Sequence, residues 1–237
     1  MRRVRIGIDV GGTFTDAVAV DNETYEIVAQ DKLPTTHSAA EGVAAGIIEI
    51  LKKLLTENHI APEEVVFIAH GTTQATNALL EGDVAKVGIL GMGHGFWAGR
   101  AASDTAVEDI PLAPGKTLVA VHAFARVVDA ASQGETIRAR IDALARQGAA
   151  VIVASEAFGV DAPEGERFVM DLAREKGLFA TGGHEVSRLY GLKTRTRTAV
   201  INGSLIPKMM ETADMTENSV RRSGITAPLL IMRCDGG

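Results

Sequence analysis

Apolar and polar residues alternate near the N-terminus in a way that predicts two strands joined by a short turn. Over Val4–Val10 every second residue is Val or Ile, which is the period of a half-buried strand. Phe14–Val20 repeats that period. Gly11-Gly12 lies between the two runs and is able to take positive φ, so the pattern predicts a tight hairpin.

The rest of the pattern alternates strands with helices, which predicts an α/β protein with a parallel sheet. The segment 91–115 has no clear period and is predicted to be a loop. Ser38 and Glu41 have the spacing of a capping box at the start of the first helix. Further strands are expected at 26–33, 65–69, 86–90, 117–128, 151–154 and 228–232. Helices are expected at 39–55, at a short segment that starts near Gln74, around 137–144, around 168–172 and at 199–222. Gly148 and Gly177 would close the third and fourth of these helices, and the last would bend near Pro207.

Composition narrows the class of protein. The 237 residues include 24 Lys and Arg against 30 Asp and Glu, and the resulting net charge of −6 does not favour nucleic acid or an anionic membrane as a partner. No apolar run is long enough to span a bilayer. The single cysteine, Cys234, excludes an intramolecular disulfide and is typical of the cytosol. We therefore expect a cytoplasmic protein.

Several motif-like strings do not fit the sites that they suggest. Gly115-Lys116-Thr117 looks like the end of a phosphate-binding P-loop, but Ile110 occupies the position of the required glycine. The glycines at 91, 93 and 95 are followed by Phe96, where a dinucleotide fingerprint needs glycine. The histidines lack close metal-ligand spacing, and His184-Glu185 is expected to point to opposite faces of a strand.

The first turn carries more chemistry than a hairpin requires. Glycines let a ligand approach the main chain, and the N–H groups of a turn can converge on an anion. Thr13 and Thr15 add hydroxyl groups, and Asp9 at the strand end could hold a cation. Two interpretations remain open from the spacing alone: a phosphate site, or a Gly-Gly hairpin with solvated polar residues.

Four strings, in order along the chain, resemble the hydantoinase/oxoprolinase family. The first, IGIDVGGTFTDAV, is similar to the first phosphate-binding loop of the actin, hexokinase and chaperone ATPase superfamily. Within that superfamily, the string is closer to the hydantoinase/oxoprolinase branch. The others are AHGTTQATNALLEG at 69–82, YGLKTRTRTAVINGSLIP at 190–207 and APLLIMRCDGG at 227–237. The string GHGFWAGRAAS departs from the Gly-Phe-Arg-Asp usual in the family, which leaves the substrate open.

The resemblance implies a ribonuclease-H-like, actin-like ATPase domain with a mixed sheet, plus a smaller α/β segment. We expect three regions: an N-terminal domain at 1–115, an α/β subdomain at 116–190, and a long helix with the start of a second ATPase domain at 191–237. The final strand and Gly-Gly turn have nothing after them to pair with, so we also expect a fragment of a longer chain.

The resemblance also implies roles for particular residues. Asp9 would ligate or orient Mg²⁺ beside the β- and γ-phosphates of ATP, and Asp16 or His70 would supply a base. Arg195 and Arg197 would either face the substrate or form salt bridges on the surface. An N-cap threonine beside a buried histidine is the structural alternative at 70–73. The implied cofactor-binding residues are Gly11, Gly12, Thr13, Thr15, Gly71, Thr72, Thr73, Asp235, Gly236 and Gly237.

The implied function is an ATP-dependent hydrolase that opens a cyclic amide such as a hydantoin or 5-oxoproline, or a related ketone carboxylase subunit. The expected partners are a small carbonyl or cyclic amide substrate, a second subunit, and further copies of the chain in a homo-oligomer. Two alternatives stay open: a small-molecule kinase of the same superfamily, and a nucleotide-switched binding module without catalysis.

Overall fold

The chain folds into strands and helices that follow one another in sequence, beginning with three strands that meander. A computed structural model describes residues 2–36, 43–71, 73–127 and 133–232, without the side chains of Val43 and Thr73. The strands are β1 Val4–Val10, β2 Phe14–Asp21, β3 Ile27–Pro34, β4 Val65–His70, β5 Val87–Gly93, β6 Ile110–Ala113, β7 Lys116–Leu118, β8 Ala120–Arg126, β9 Val151–Glu156, β10 Phe179–Gly182 and β11 Leu229–Ile231. The α-helices are α1 Val43–Glu57, α2 Thr73–Glu81, α3 Ala98–Thr105, α4 Gly134–Arg146, α5 Glu164–Glu175, α6 Gly183–Val186 and α7 Leu192–Arg222, and 3₁₀ turns cover Pro62–Glu64 and Gly95–Trp97.

The chain divides into two compact units. The first unit comprises residues 1–77 and 209–237, and the second comprises residues 78–208. The three regions expected from the sequence, at 1–115, 116–190 and 191–237, have different limits and stay a prediction about domains. No helix in the described part of the chain is long and apolar enough to cross a membrane.

The first unit contains a mixed five-stranded sheet in the order β11-β4-β1-β2-β3. The pairs β1–β2 and β2–β3 are antiparallel, whereas β1–β4 and β4–β11 are parallel. This arrangement confirms the expected mixed sheet of a ribonuclease-H-like domain.

One face of this sheet forms the core of the first unit. Ile6 and Ile8 of β1 pack with Ile47 and Leu51 of α1 and with Val220 near the end of α7, and all five are buried. The opposite face carries polar and charged residues of the same strands. Arg5 on that face lies over the rings of Tyr25 and Phe67, at 5.0 and 5.4 Å from the ring centres. The alternation predicted for β1 therefore separates an apolar core face from a polar face.

The second unit contains a four-stranded parallel sheet in the order β10-β9-β5-β8. Helices α4 and α5 pack against it through a cluster that includes Ile141, Leu144 and Val169. The parallel sheet confirms the prediction made from strand–helix alternation. Gly148 and Gly177 follow α4 and α5 with φ of 88° and 74°, which are the helix-closing conformations expected for glycine.

The prediction of a loop over 91–115 is wrong, because that segment contains the end of β5, α3 and β6. The glycines explain the error. A Cβ atom on Gly93 would lie 2.6 Å from Ala101 Cβ, and one on Gly91 would collide with the Thr105 side chain. These two glycines therefore let α3 pack directly on β5. Gly115, with φ of 72°, is in the antiparallel hairpin between β6 and β7, so Gly115-Lys116-Thr117 is no P-loop.

Two smaller predictions need correction. His184 and Glu185 lie in the short helix α6 and not on a strand. The last long helix begins at Leu192 rather than Ala199, and it includes Pro207 within a single helical segment. The capping box at Ser38 and Glu41 lies outside the described residues.

Candidate functional site

A row of charged side chains crosses three strands of the first sheet. Asp9 of β1 is the direct partner of Asp16 on β2, and Asp16 is the partner of Lys32 on β3. Directly paired residues of antiparallel strands project from the same face. The Lys32 ammonium lies 3.0 Å from an Asp16 carboxylate oxygen. The register thus places two carboxylates and one cation side by side on the polar face.

Gly71, immediately after β4, extends this row on the other side of Asp9. Its N–H donates to the Ile8 carbonyl at 2.8 Å, which continues the β1–β4 pairing past the strand end. A Cβ atom on Gly71 would lie 3.0 Å from Asp9 Oδ1. Glycine therefore allows the Asp9 carboxylate to lie directly against the main chain where β4 ends.

Two glycines form the hairpin tip next to Asp9, and their presence is not explained by a need for positive φ. Neither Gly11 nor Gly12 has positive φ, so that part of the hairpin prediction is wrong. A Cβ atom on Gly11 would be 3.1 Å from the Phe14 carbonyl oxygen, which is a tight contact. On Gly12 the nearest described atom would be 3.8 Å away, so the described part of the chain leaves room for a side chain there. A glycine with room for a Cβ atom is suited to close approach by a ligand.

The threonines near the tip have different environments. Thr13 is exposed, whereas Thr15 is fully buried, with its hydroxyl 3.3 Å from that of Thr35. Thr35 also donates its hydroxyl to the Gly11 carbonyl at 2.8 Å and its N–H to the Thr13 carbonyl at 2.9 Å. Thr35, directly after β3, therefore braces the tip, and Thr15 lies beneath the tip with it.

His70 is near these residues in sequence but occupies the other face of the sheet. It pairs with Ile8, shares the face of Ile68, and is fully buried. Within the described ranges, neither ring nitrogen has a hydrogen-bond partner. Burial lowers the pKa of His70, and Asp9 opposes that shift only in part. A neutral imidazole in the core fits the structural alternative that the sequence left open, a buried histidine before α2.

A pocket of about 600 Å³ opens on the polar face over the row. Asp9, Asp16, Lys32 and Gly71 line it, together with Met232 after β11. The pocket thus brings together Asp9, Asp16 and Gly71, three of the residues named from the resemblance, and their roles stay a prediction. Thr72 and Asp235–Gly237 lie outside the described residues, and so does the side chain of Thr73.

The donor set at this pocket is suited to a magnesium ion that also binds phosphate. Among the described residues no group of three or more His, Cys, Asp or Glu could hold a metal. Mg²⁺ commonly takes one or two carboxylates and fills its other positions with water and phosphate oxygens. Asp9 and Asp16 supply such a pair, so the residues present fit Mg²⁺ bound with a nucleotide rather than in a protein cage.

Arg195 has neither of the roles expected from the sequence. It is fully buried in the second unit and donates to the carbonyls of Leu189 at 2.9 Å and Glu156 at 2.6 Å. Burial lowers its pKa, while Glu166 and Asp161 oppose the shift. Arg195 thus ties the start of α7 to the end of β9. Arg197 is exposed, and no ion pair to it is found in the described ranges.

The sequence alone predicts no role for Lys32, Thr35 or Glu166. Glu166 is fully buried and accepts from His184 Nδ1 at 2.6 Å and from the main-chain N–H groups of Glu156 and His184 at 2.8 Å. No local pattern marks these residues, because each acts on a partner at least ten positions away in the chain.

Comparison with known proteins decides the family. The profile of the hydantoinase/oxoprolinase N-terminal region matches residues 5–177, and the hydantoinase/oxoprolinase profile matches residues 195–237. This chain belongs to the hydantoinase/oxoprolinase family. The resemblance carried by the four sequence strings is thereby confirmed.

Curated members of the hydantoinase/oxoprolinase family align over nearly the whole chain. Caprolactamase subunit alpha of Pseudomonas jessenii is 27% identical over 263 residues, covering 100% of this chain and 36% of the relative. The acetophenone carboxylase gamma subunit of Aromatoleum aromaticum is also 27% identical, covering 98% of this chain and 35% of that protein. The chain thus spans about a third of the length of these relatives.

Solved structures show the same fold. The crystal structure of the ATP-dependent caprolactamase from Pseudomonas jessenii aligns with a TM-score of 0.68 at 25% identity, covering 98% of this chain and 36% of that one. Nucleotide-free acetone carboxylase gives the same TM-score and coverage at 21% identity, which supports the fold alone.

Proposed function

We propose that this chain carries the first phosphate-binding loop of an ATP-dependent enzyme that activates a carbonyl or amide oxygen. The observation that carries the proposal is the row formed by Gly71, Asp9, Asp16 and Lys32 beside the Gly11-Gly12 tip. Two relatives that align over nearly the whole chain are named for opening a lactam and carboxylating a ketone. Both reactions begin with an unreactive carbonyl group.

The charges of the row favour a phosphate-bound cation. Two carboxylates directly opposite each other repel, and Lys32 offsets the charge of Asp16 from one side. Mg²⁺ bound with ATP would lie beside Asp9 and supply electrostatic stabilisation of the transferring phosphoryl group. The exposed Thr13 at the tip would donate its N–H and hydroxyl groups to phosphate oxygens.

In the proposed reaction, the carbonyl or amide oxygen of the substrate attacks the γ-phosphorus of ATP. The bond from that phosphorus to the β–γ bridging oxygen breaks, and ADP leaves. In a hydrolase, water would then add to the activated carbon, and the C–N bond of the ring would break with a proton going to the departing nitrogen. A second water would hydrolyse the acyl phosphate that is left to a carboxylate and inorganic phosphate. In a carboxylase, the ketone would lose an α-proton as its enol phosphate forms; the α-carbon would then form a C–C bond to CO₂ derived from bicarbonate while the O–P bond breaks and the phosphoryl group passes to water.

The geometry favours Asp16 over His70 as a base. Asp16 lines the pocket on the polar face, whereas the His70 imidazole is buried among core residues of the opposite face. A base must come within hydrogen-bond reach of the proton that it removes. Asp16 would accept a proton directly or through one water molecule, and His70 would maintain the packing beneath the end of β4.

The test is Asp9→Asn in the native protein, with its partner subunit, assayed by phosphate release. We expect at least about a hundredfold loss of ATP turnover, because removing a group that stabilises transferring charge typically costs that much. Asp142→Asn is the matched control, since Asp142 lies in the second unit, away from this pocket, and is paired with Lys176 at 2.6 Å. Near-native turnover of the Asp9→Asn protein would refute the assignment.

The same assay separates the two reaction types. A lactam that stimulates phosphate release and appears as its ring-opened amino acid identifies the hydrolase. A ketone that stimulates release only with bicarbonate identifies the carboxylase. A stable phosphorylated product would refute both and identify a kinase.

A further inference from the structure

The second unit has a pocket of its own, which the phosphate site does not use. Its volume is about 570 Å³, within the usual range for small-molecule sites. Trp97 and Arg100, which follow β5, form one side, and Phe158, which follows β9, forms another. Tyr190 and Lys193, at the start of α7, complete the lining.

The topology of the parallel sheet puts this pocket where α/β proteins commonly bind ligands. β5 and β9 are adjacent parallel strands. From β5 the chain passes through α3 towards β8 on one side, and from β9 it passes through α5 to β10 on the other. Loops that leave neighbouring strands in opposite directions open a crevice at the carboxyl edge of the sheet.

The walls of the pocket are aromatic and exposed. Trp97 is 50% exposed, Phe158 49% and Tyr190 70%. The rings of Trp97 and Phe158 meet edge to face with their centres 6.5 Å apart. Phe158 has φ of 65°, a conformation that is costly for a bulky residue. The Tyr190 hydroxyl donates to Asp161 at 3.0 Å, which fixes the position of its ring.

The charges at the pocket leave one cation unbalanced. Arg100 lies 3.5 Å from Asp104, so these two charges offset each other. For Lys193 the described ranges contain no ion pair, and its side chain is part of the lining. The pocket thus combines flat apolar walls with one ammonium group.

We propose that this pocket binds a small planar-ring molecule that carries one acidic group. The ring would pack on Trp97 and Phe158, and the acidic group would pair with Lys193. Aromatic rings favour offset or edge-to-face contacts with other rings, and a carboxylate complements an ammonium group. The site lies wholly within the second unit and does not depend on the proposed ATP reaction.

The chain contains a single tryptophan, Trp97, so its fluorescence reports on this pocket directly. Benzoate is the probe, titrated into the 237-residue chain while Trp97 emission is followed. We expect a saturable change with a dissociation constant in the millimolar range, about that expected for a ligand of so few atoms. Benzamide, which has the same ring without the charge, should bind at least about threefold more weakly.

Variants test the two halves of the proposal separately. Lys193→Gln should weaken benzoate about threefold to tenfold, and Lys52→Gln, an exposed lysine of α1, should not. Phe158→Asn should weaken it about tenfold, because asparagine tolerates positive φ while removing the ring. Phe179→Leu, at the start of β10, is the control for loss of an exposed ring.

The proposal is overturned by any of three results. They are a Trp97 signal that does not saturate, equal affinity for benzamide and benzoate, and unchanged affinity in both Lys193→Gln and Phe158→Asn. Circular dichroism confirms that each variant is folded before its titration is interpreted.

Discussion

Two glycines beside Asp9 differ in whether the chain itself requires them. Gly71 keeps a side chain away from the Asp9 carboxylate, whereas Gly12 has space for a Cβ atom. Within the described residues, packing therefore requires glycine at 71 but not at 12. If the tip holds phosphate, Gly12 is there for the ligand.

This difference gives a prediction for Gly12→Ala and Gly71→Ala. Gly12→Ala should leave the free energy of unfolding within about 0.5 kcal/mol of the native value, because the added methyl meets no described atom closer than 3.8 Å. Its affinity for Mg·ATP should nevertheless fall about tenfold in the native protein, because the methyl group would stand where the phosphate approaches. Calorimetric titration and denaturant unfolding measure the two effects.

Gly71→Ala is expected to change both quantities, because its methyl would press on Asp9 at 3.0 Å. If Gly12→Ala bound Mg·ATP as tightly as the native protein, the tip would be an ordinary hairpin.

At the scale of elements, local sequence pattern predicted the strands and helices that bury a periodic apolar face. β1, β4, β9 and the α1 helix lie close to their predicted positions because burial follows that period. Helix α3 was missed because its buried side consists of small residues such as Ala98 and Ala101, packed on glycines of β5. The close contact of α3 with β5 explains these small residues, whereas helix formation by itself does not require them.

The candidate site was predictable only in part, for a related reason. Asp9, Asp16 and Gly71 belong to recognisable strings, but the positions of Lys32 and Thr35 depend on the register between β2 and β3. His70 was expected beside the phosphates, and the β1–β4 register places its ring on the core face. Side-chain direction changes with each residue along a strand, so proximity in sequence does not decide the face.

The hairpin brace gives a prediction about stability. Thr35→Val keeps the shape of the side chain but removes the hydroxyl that donates to the Gly11 carbonyl at 2.8 Å. We expect a loss of about 1 kcal/mol in the free energy of unfolding, the usual cost of a partly buried hydrogen bond. Thr24→Val, in the exposed turn after β2, is the matched control. Equal effects of the two changes on urea unfolding would contradict the bracing role.

At the scale of the whole molecule, one carboxyl group links stability to pH. Burial, together with the charges of Glu166 and Glu164, raises the pKa of Glu156 from 4.5 to about 7. The folded chain therefore binds this proton more tightly than the unfolded chain does. Its stabilising effect is present at acidic pH and is lost as the pH rises through about 7.

Glu156→Gln should remove that dependence, because glutamine resembles the protonated acid at every pH. The free energy of unfolding of the variant minus that of the native chain should increase by about 1–2 kcal/mol from pH 5 to pH 8, allowing for the partial exposure of Glu156. Urea unfolding at the two pH values measures it. Parallel stability curves for the two proteins would show that Glu156 keeps an ordinary pKa.

The chain order of the first unit has a consequence for synthesis on the ribosome. β11 pairs with β4 in the finished sheet, yet the whole second unit, residues 78–208, is translated between them. At ordinary translation speeds β11 emerges roughly ten seconds after β4. During that interval the edge of β4 that will receive β11 is unpaired, and the second unit has time to fold first. The first sheet is therefore completed last, and its β4 edge stays open for longer than any strand edge inside the second unit, whose strands all emerge before β11.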